Sequence, residues 1–173
     1  YGYTRSTTPH LEDFAERAVV FNHARSQASC TFPSVNSILT SRYSQHFLDQ
    51  PRNRFGIPSP YVSIAEILQD HGYFTVAVSA SPIFRATPSK HNPHGGFGRG
   101  FEIFDETPLW LDAAVVNQRV LHHLESTMTE PFFLFVHYMD PHDPYRPPPE
   151  HPRLFSSPRS GPDFLLEGDP NPI

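Results

Sequence analysis

The chain is poor in cysteine, with Cys30 alone among 173 residues. A single thiol excludes an internal disulfide framework and a cysteine-rich zinc site. It leaves the compartment open, because exported proteins need no disulfides. Positive charge is also short. Thirteen Lys and Arg against 18 Asp and Glu leave −5 at pH 7, so no basic excess exists to drive phosphate-backbone binding, and no nucleic-acid partner is expected. Long apolar runs are missing as well. The longest, Phe132 to Val136, falls far short of the roughly 18 residues of a membrane span, so no transmembrane segment is expected in this piece. The first residue is Tyr1 and not Met, which implies that the native start lies elsewhere and leaves a signal peptide unreadable.

What is present is a core and many loops. Hydrophobic residues make 38% of the chain and charged ones 18%, with 15 Phe, which argues against disorder through low hydrophobicity and high charge. The 20 Pro and 9 Gly stay below the roughly 25–30% of low-complexity chains. The length suits about one domain, at roughly 150 residues each.

The elements alternate. Thr7, Thr8 and Pro9 offer caps and a first-turn proline, and Leu11, Phe14, Ala15 and Ala18 follow at helical spacing. Val19-Val20-Phe21 reads as a short buried strand. Pro33 can open a helix that Val35 to Thr40 continue, which puts Thr31 at or just before a helix N-terminus. Residues 44–60 read as a surface loop. Val62 to Leu68 make a helix stopped at His71-Gly72, and Phe74 to Val78 a strand. Residues 87–100 are Gly-, Pro- and His-rich and irregular. Leu109, Ala113, Val116, Val120, Leu121 and Leu124 form one stripe of an amphipathic helix. Phe132 to Val136 reads as a strand covered on both faces, and residues 146–173 as a proline-rich loop region. Helix and strand in alternation predict an α/β sheet with crossovers, and the small number of strands hints at a partial domain.

Two stretches can carry chemistry. In Thr31 to Arg42, a hydroxyl at a helix N-terminus meets unpaired N–H groups and the positive dipole end, which favour an alkoxide and a tetrahedral anion. Caps outnumber nucleophiles, so the residues alone read Thr31 first as a cap. The second stretch, His137 to Tyr145, follows an apolar strand directly, and parallel α/β sheets bind ligands beyond the carboxyl ends of their strands. A histidine there can protonate a leaving group. Asp140 and His142 can equally organise a turn before proline.

These stretches resemble the sulfatase family of the alkaline-phosphatase superfamily. Thr31 to Arg42 is similar, in register, to the family's Cys-x-Pro-Ser-Arg-x-x-Leu-Leu-Thr-Gly-Arg. Tyr1-Gly2-Tyr3 through Leu11, Gly72-Tyr73-Phe74-Thr75, Phe97 to Phe101 with Phe104-Asp105-Glu106, and Pro131 to Phe135 with Asp140 to Tyr145 resemble further family segments in the family's order. The resemblance covers about residues 1–150. It implies a three-layer sandwich with a mainly parallel central sheet, present here as an incomplete, N-terminal-to-middle portion of the catalytic domain over residues 1–173.

It also implies the chemistry. The family's nucleophile, a cysteine oxidised to formylglycine that ligates a divalent cation, falls on Thr31 and not on Cys30. The supporting Arg falls on Val35 and the Gly on Ser41. No formylglycine is therefore expected, and Cys30 is expected to be a small buried side chain. Catalytic roles carry over to Thr31 as nucleophile and metal ligand, and to His142 as the group that protonates the leaving oxygen. The cation implied is calcium, with manganese or zinc as alternatives. Its other ligands are expected outside this chain, so the piece alone is expected to be inactive. His91, His94 and the pair His137/His142 read as scattered loop histidines. The family's Gly-Lys-Trp-His segment is replaced by Val76 to Pro82, where Ser79 and Ser81 could give only weak hydrogen bonds.

The implied function is hydrolysis of sulfate esters by metal-assisted displacement at sulfur, on a small-molecule or glycan substrate. A threonine ester cannot collapse to an aldehyde as formylglycine hydrate does, so a phosphodiester or phosphonate ester hydrolase, or a phosphotransferase, is an alternative. A non-catalytic sulfatase-like module that binds an anionic glycan or a partner is another. An exported, periplasmic or extracellular setting would suit the family.

Overall fold

The computed structural model describes residues 6–48, 56–106 and 112–143. Tyr1 to Arg5, Leu109 and the proline-rich region from residue 144 onward lie outside them. In order, the elements are α1 (Pro9–Ala15), α2 (Thr31–Thr40), α3 (Gln45–Leu48), α4 (Ile64–Asp70), β1 (Phe74–Ser79), β2 (Ile103–Asp105), α5 (Ala113–Ser126) and β3 (Phe132–His137).

The three strands form one parallel sheet in the order β2-β1-β3. β1 is central, and its residues from Thr75 to Ser79 are all buried. Alternation splits the sheet into two faces, because successive side chains point to opposite sides. Ala77, Phe104 and Phe135 pack with Val35 and Leu39 of α2 and with Phe84 and Phe97. Val76, Val78, Leu134 and Val136 pack with Val116 and Val120 of α5. Helices on both faces of a parallel sheet give the three layers expected of the α/β reading.

Local signals explain the ends. α4 begins in a capping box: Ser63 Oγ accepts the Glu66 N–H at 3.1 Å, and Glu66 Oε2 accepts the Ser63 N–H at 2.9 Å. It stops where Gly72, at φ 81°, turns the chain into β1, a conformation glycine adopts without Cβ strain.

Four expectations need correction. Val19, Val20 and Phe21 do not form a buried strand; they are exposed, as is α1, which buries no residue. Among the described residues no strand lies beside them, and an isolated strand has no ladder to stabilise it. Residues 44–60 are not loop throughout, since α3 docks Phe47 against the Tyr61 ring at 5.5 Å. The buried stripe of α5 runs through Val116 and His123, while Leu121 and Leu124 are exposed. β3 has both faces covered only in part, because it is an edge of the described sheet: Phe132 is exposed and the rest half-buried. A short strand, β2, was not anticipated, its three residues being too few for a periodicity signal.

Candidate active site

Thr31 is the first residue of α2. The cap position belongs to Cys30, whose backbone is extended (φ −112°, ψ 150°) and whose side chain makes no cap hydrogen bond. Thr31 is therefore not the cap. Its side chain is half-buried, and its hydroxyl has no hydrogen-bond partner among the described residues. The first turn carries no acidic residue, so nothing there neutralises the positive end of the helix dipole. Pro33, buried in that turn, costs little because early helical N–H groups lack partners in any case.

The helix is held rigidly behind this hydroxyl. Phe32 meets Phe97 edge-on at 5.9 Å. Asn36 Nδ2 donates to the Phe32 carbonyl at 3.0 Å, and Thr40 Oγ1 to the Asn36 carbonyl at 2.7 Å. Val35, which stands where the family has arginine, is a core residue beside Leu39, Ala77, Phe84 and Phe97. Ser41, at the family's glycine, has φ 54°, which accounts for glycine in the pattern. Cys30 is exposed, against the expectation of a buried side chain. As the cap it sits outside the helix, away from the face that α2 buries.

The second segment leaves β3 at its carboxyl end. The His137 carbonyl accepts the Ala80 N–H at 3.1 Å. Tyr138 Oη donates to Asn117 Oδ1 at 2.6 Å, and Asp140 Oδ2 accepts the Ala113 N–H at 2.7 Å. Asp140 thus caps α5 from a distance, because Asp112 at the cap position makes no such bond. The His142 N–H closes a turn onto the Met139 carbonyl at 2.7 Å. His142 Nδ1 lies 2.9 Å from the Asp143 carbonyl. A carbonyl only accepts, so Nδ1 carries the proton. The side chain is exposed.

No hydrogen bond joins Thr31 to His142. A run of rings links their segments instead: Phe32 to Phe97, Phe97 to Phe84 at 5.2 Å, and Phe84 to His137 at 6.0 Å. Burial pushes the His137 imidazole below the ordinary histidine value, against the upward pull of its own backbone carbonyl, and His142 adds to the lowering.

Ser79 and Ser81 are occupied in structure. Ser79 Oγ donates to the Phe84 carbonyl at 2.8 Å, and Ser81 Oγ accepts the N–H groups of Ile83 and Phe84, both at 3.1 Å. Between His91 and His94, buried Asn92 ties the loop with Nδ2 bonds to the carbonyls of Ile83 and Gly95. Among the described residues no three His, Cys, Asp or Glu side chains gather to hold an ion. Thr31 supplies one oxygen, whereas a hard cation takes about six. These residues do not make a cation site by themselves.

Sequence reading missed two charged clusters. Glu106, after β2, accepts hydrogen bonds from the Ala86 N–H at 2.7 Å, the Thr87 N–H and hydroxyl, and buried Arg85 at 3.2 Å. Asp105 pairs with Arg119 and, at 3.0 Å, with His123 of α5. The Phe104-Asp105-Glu106 element was visible, but its partners lie far away in sequence.

A parallel sheet layered by helices, with the segment from Tyr138 to Asp143 leaving β3 at its carboxyl end, defines an α/β domain. The chain belongs to the sulfatase family, whose family model matches residues 1–160. By that membership it is a sulfatase-like hydrolase. Comparison with curated proteins and with solved structures returns no match. Among the described residues no helix is long and apolar enough to cross a membrane.

Proposed function

We propose that this domain hydrolyses sulfate esters by displacement at sulfur, with Thr31 as nucleophile and His142 as acid. The observation that supports this most is the Thr31 hydroxyl, without a hydrogen-bond partner among the described residues, in a first turn of α2 that carries no acidic residue. Thr31 Oγ1 bonds to sulfur as the bond to the alcohol oxygen breaks. The proton on His142 Nε2 passes to that oxygen, and the Thr31 proton leaves to solvent. Water then attacks the threonine sulfate at sulfur as the bond to Thr31 Oγ1 breaks; one of its protons restores the Thr31 hydroxyl, the other returns to His142, and sulfate leaves. A divalent cation, calcium ahead of manganese or zinc, belongs to the proposal with Thr31 as one ligand, the substrate being a small-molecule or glycan ester.

One observation favours a second reading, phosphate or phosphonate esters. Val35 lies in the core where the family's arginine would support formylglycine, so the segment suits a plain hydroxyl nucleophile. Parallel assays on nitrophenyl sulfate, phosphate and phosphodiester with each cation separate the two. Thr31→Ala should lower turnover by roughly a thousandfold or more, and His142→Ala by about a hundredfold or more on poor leaving groups. Full activity in Thr31→Ala would end the nucleophile reading. Binding of a sulfated glycan without turnover would point to a non-catalytic module.

A further inference from the structure

The amino ends of β1 and β3 are tied together. Phe74 and Phe132 pair in register, and the Phe74 N–H donates to the Pro131 carbonyl at 2.9 Å. One residue earlier, just after Gly72 stops α4, the Tyr73 N–H donates to the Leu68 carbonyl at 3.0 Å. Tyr73 is thus held by the helix behind it and by the strand ahead. At this junction lies an open groove of about 520 Å³, lined by Tyr73, Glu130, Pro131 and Phe132. Phe132 is 39% exposed there, more than is usual for a phenylalanine. The groove is not the site described above. The turn that carries His142 leaves β3 at its other end, six residues on, which is roughly 20 Å at about 3.3 Å per residue.

Its chemistry is one carboxylate between aromatic residues and a proline. Neither the Glu130 carboxylate nor the Tyr73 hydroxyl has a partner among the described residues. The arginines around the sheet are committed elsewhere: Arg85 to Glu106, Arg99 to Glu66 and Arg119 to Asp105. An exposed carboxylate by itself recruits little, since water solvates it as well as a cation does. The rings decide which cation is favoured. A primary ammonium would give up a tight hydration shell to touch an aromatic face. An alkylated ammonium has little to give up, its methyl groups cover apolar surface, and its charge is drawn to ring faces. An anion would meet repulsion from Glu130, and a neutral ligand would desolvate that carboxylate without replacing the lost water.

We propose that this groove binds a small organic cation with an alkylated ammonium head, its charge against the Glu130 carboxylate and its methyl groups on Tyr73 and Phe132. The volume lies within the range of small-molecule sites. The ligand is a second one, distinct from the anionic ester of the reaction above.

The test is an amide NMR titration of the chain with choline and, in parallel, with dimethylbutanol, in which carbon replaces the charged nitrogen. Choline should give saturable shifts at the amides of Tyr73, Glu130 and Phe132, with affinity in the millimolar range. Dimethylbutanol should bind more weakly by roughly threefold or more. Glu130→Gln keeps the shape and should weaken choline by roughly twofold to fivefold. Tyr73→Leu should weaken it by a similar factor, whereas Tyr73→Phe, which keeps the ring, should leave it unchanged. Absence of a saturable shift, equal binding of the two probes, or full choline affinity in Glu130→Gln overturns the proposal. Shifts at Thr31 and His142 in place of the groove also overturn it, since the cation would then sit at the other end of the sheet. If Tyr73→Leu fails to fold, the two probes and Glu130→Gln decide. None of these outcomes bears on Thr31 as nucleophile, which ester hydrolysis tests separately.

Discussion

The carboxylate of Asp140 accepts the backbone N–H of Ala113 at 2.7 Å, across 27 residues of chain. One contact therefore closes the open end of α5 and anchors the loop that carries His142. Asp140→Ala should cost about 1 kcal/mol, the usual value of a lost cap, in a urea titration. It should also loosen the His142 turn, seen as faster amide exchange at His142. Exchange unchanged there would mean that the turn onto Met139 holds by itself.

Ser41 occupies a left-handed conformation that a Cβ disfavours by roughly 1–2 kcal/mol. Because glycine gives back part of that in chain entropy, Ser41→Gly should stabilise the protein by about 0.5–1 kcal/mol. Chemical denaturation reads this directly, and a loss of stability would contradict it.

Arg85 and Glu106 are each about 8% exposed in their side chains, 3.2 Å apart, and together pin the loop after β1 to the end of β2. Removing one member leaves the other charge buried, at a cost of roughly 3–5 kcal/mol. Glu106→Ala should therefore fall in that range by denaturation, while Ser63→Ala at the α4 cap should lose only about 1 kcal/mol.

Two groups set the acid side of stability, in different windows. Burial raises the Glu66 carboxyl, but the Ser63 N–H and the Arg99 guanidinium, at 2.7 Å, outweigh it and hold the group below 4.5. Its contribution is complete above the unfolded value and fades as pH falls through the lower folded one. His137 is also depressed, below 6.5, by burial first and then by His142, which together outweigh the upward pull of its own backbone carbonyl. The unfolded chain then binds the proton first, so stability falls with pH from about 6.5 downward. Glu66→Gln should flatten the slope below about pH 4.5, and His137→Gln the slope below about pH 6.5, in thermal melts across pH.

Cys30 stands exposed one residue before Thr31, the proposed nucleophile, and Val35 is buried where the family's pattern has arginine. Mass spectrometry of the peptide spanning residues 26–42 should find an intact thiol at Cys30. An aldehyde mass would show that maturation tolerates both departures.

Much was legible in advance wherever the signal is local. Gly72 as a helix stop, Phe74 to Val78 and Phe132 to Val136 as strands, and Thr31 at the head of a helix all follow from residues within a few positions. The failures share one cause. Val19-Val20-Phe21 has strand composition, yet pairing depends on a neighbour that no local pattern reveals. His123 is polar, yet it is buried because Asp105, 18 residues earlier, pairs with it. Cys30 has the composition of a core residue, yet capping turns it outward.

Composition determined a core-bearing chain without an internal disulfide framework, a basic excess or a long apolar run, the alternation of helix and strand patterns determined the α/β class, and motif order pointed to the sulfatase family. Only the tertiary structure decided what each polar group does. It removed Thr31 from the cap, spent Ser79 and Ser81 on a turn, set Asp140 on α5 and sealed one nitrogen of His137. The reason is that helix and strand periodicities act over a few residues, whereas hydrogen-bond partners and desolvation come from segments that the folded chain alone brings together.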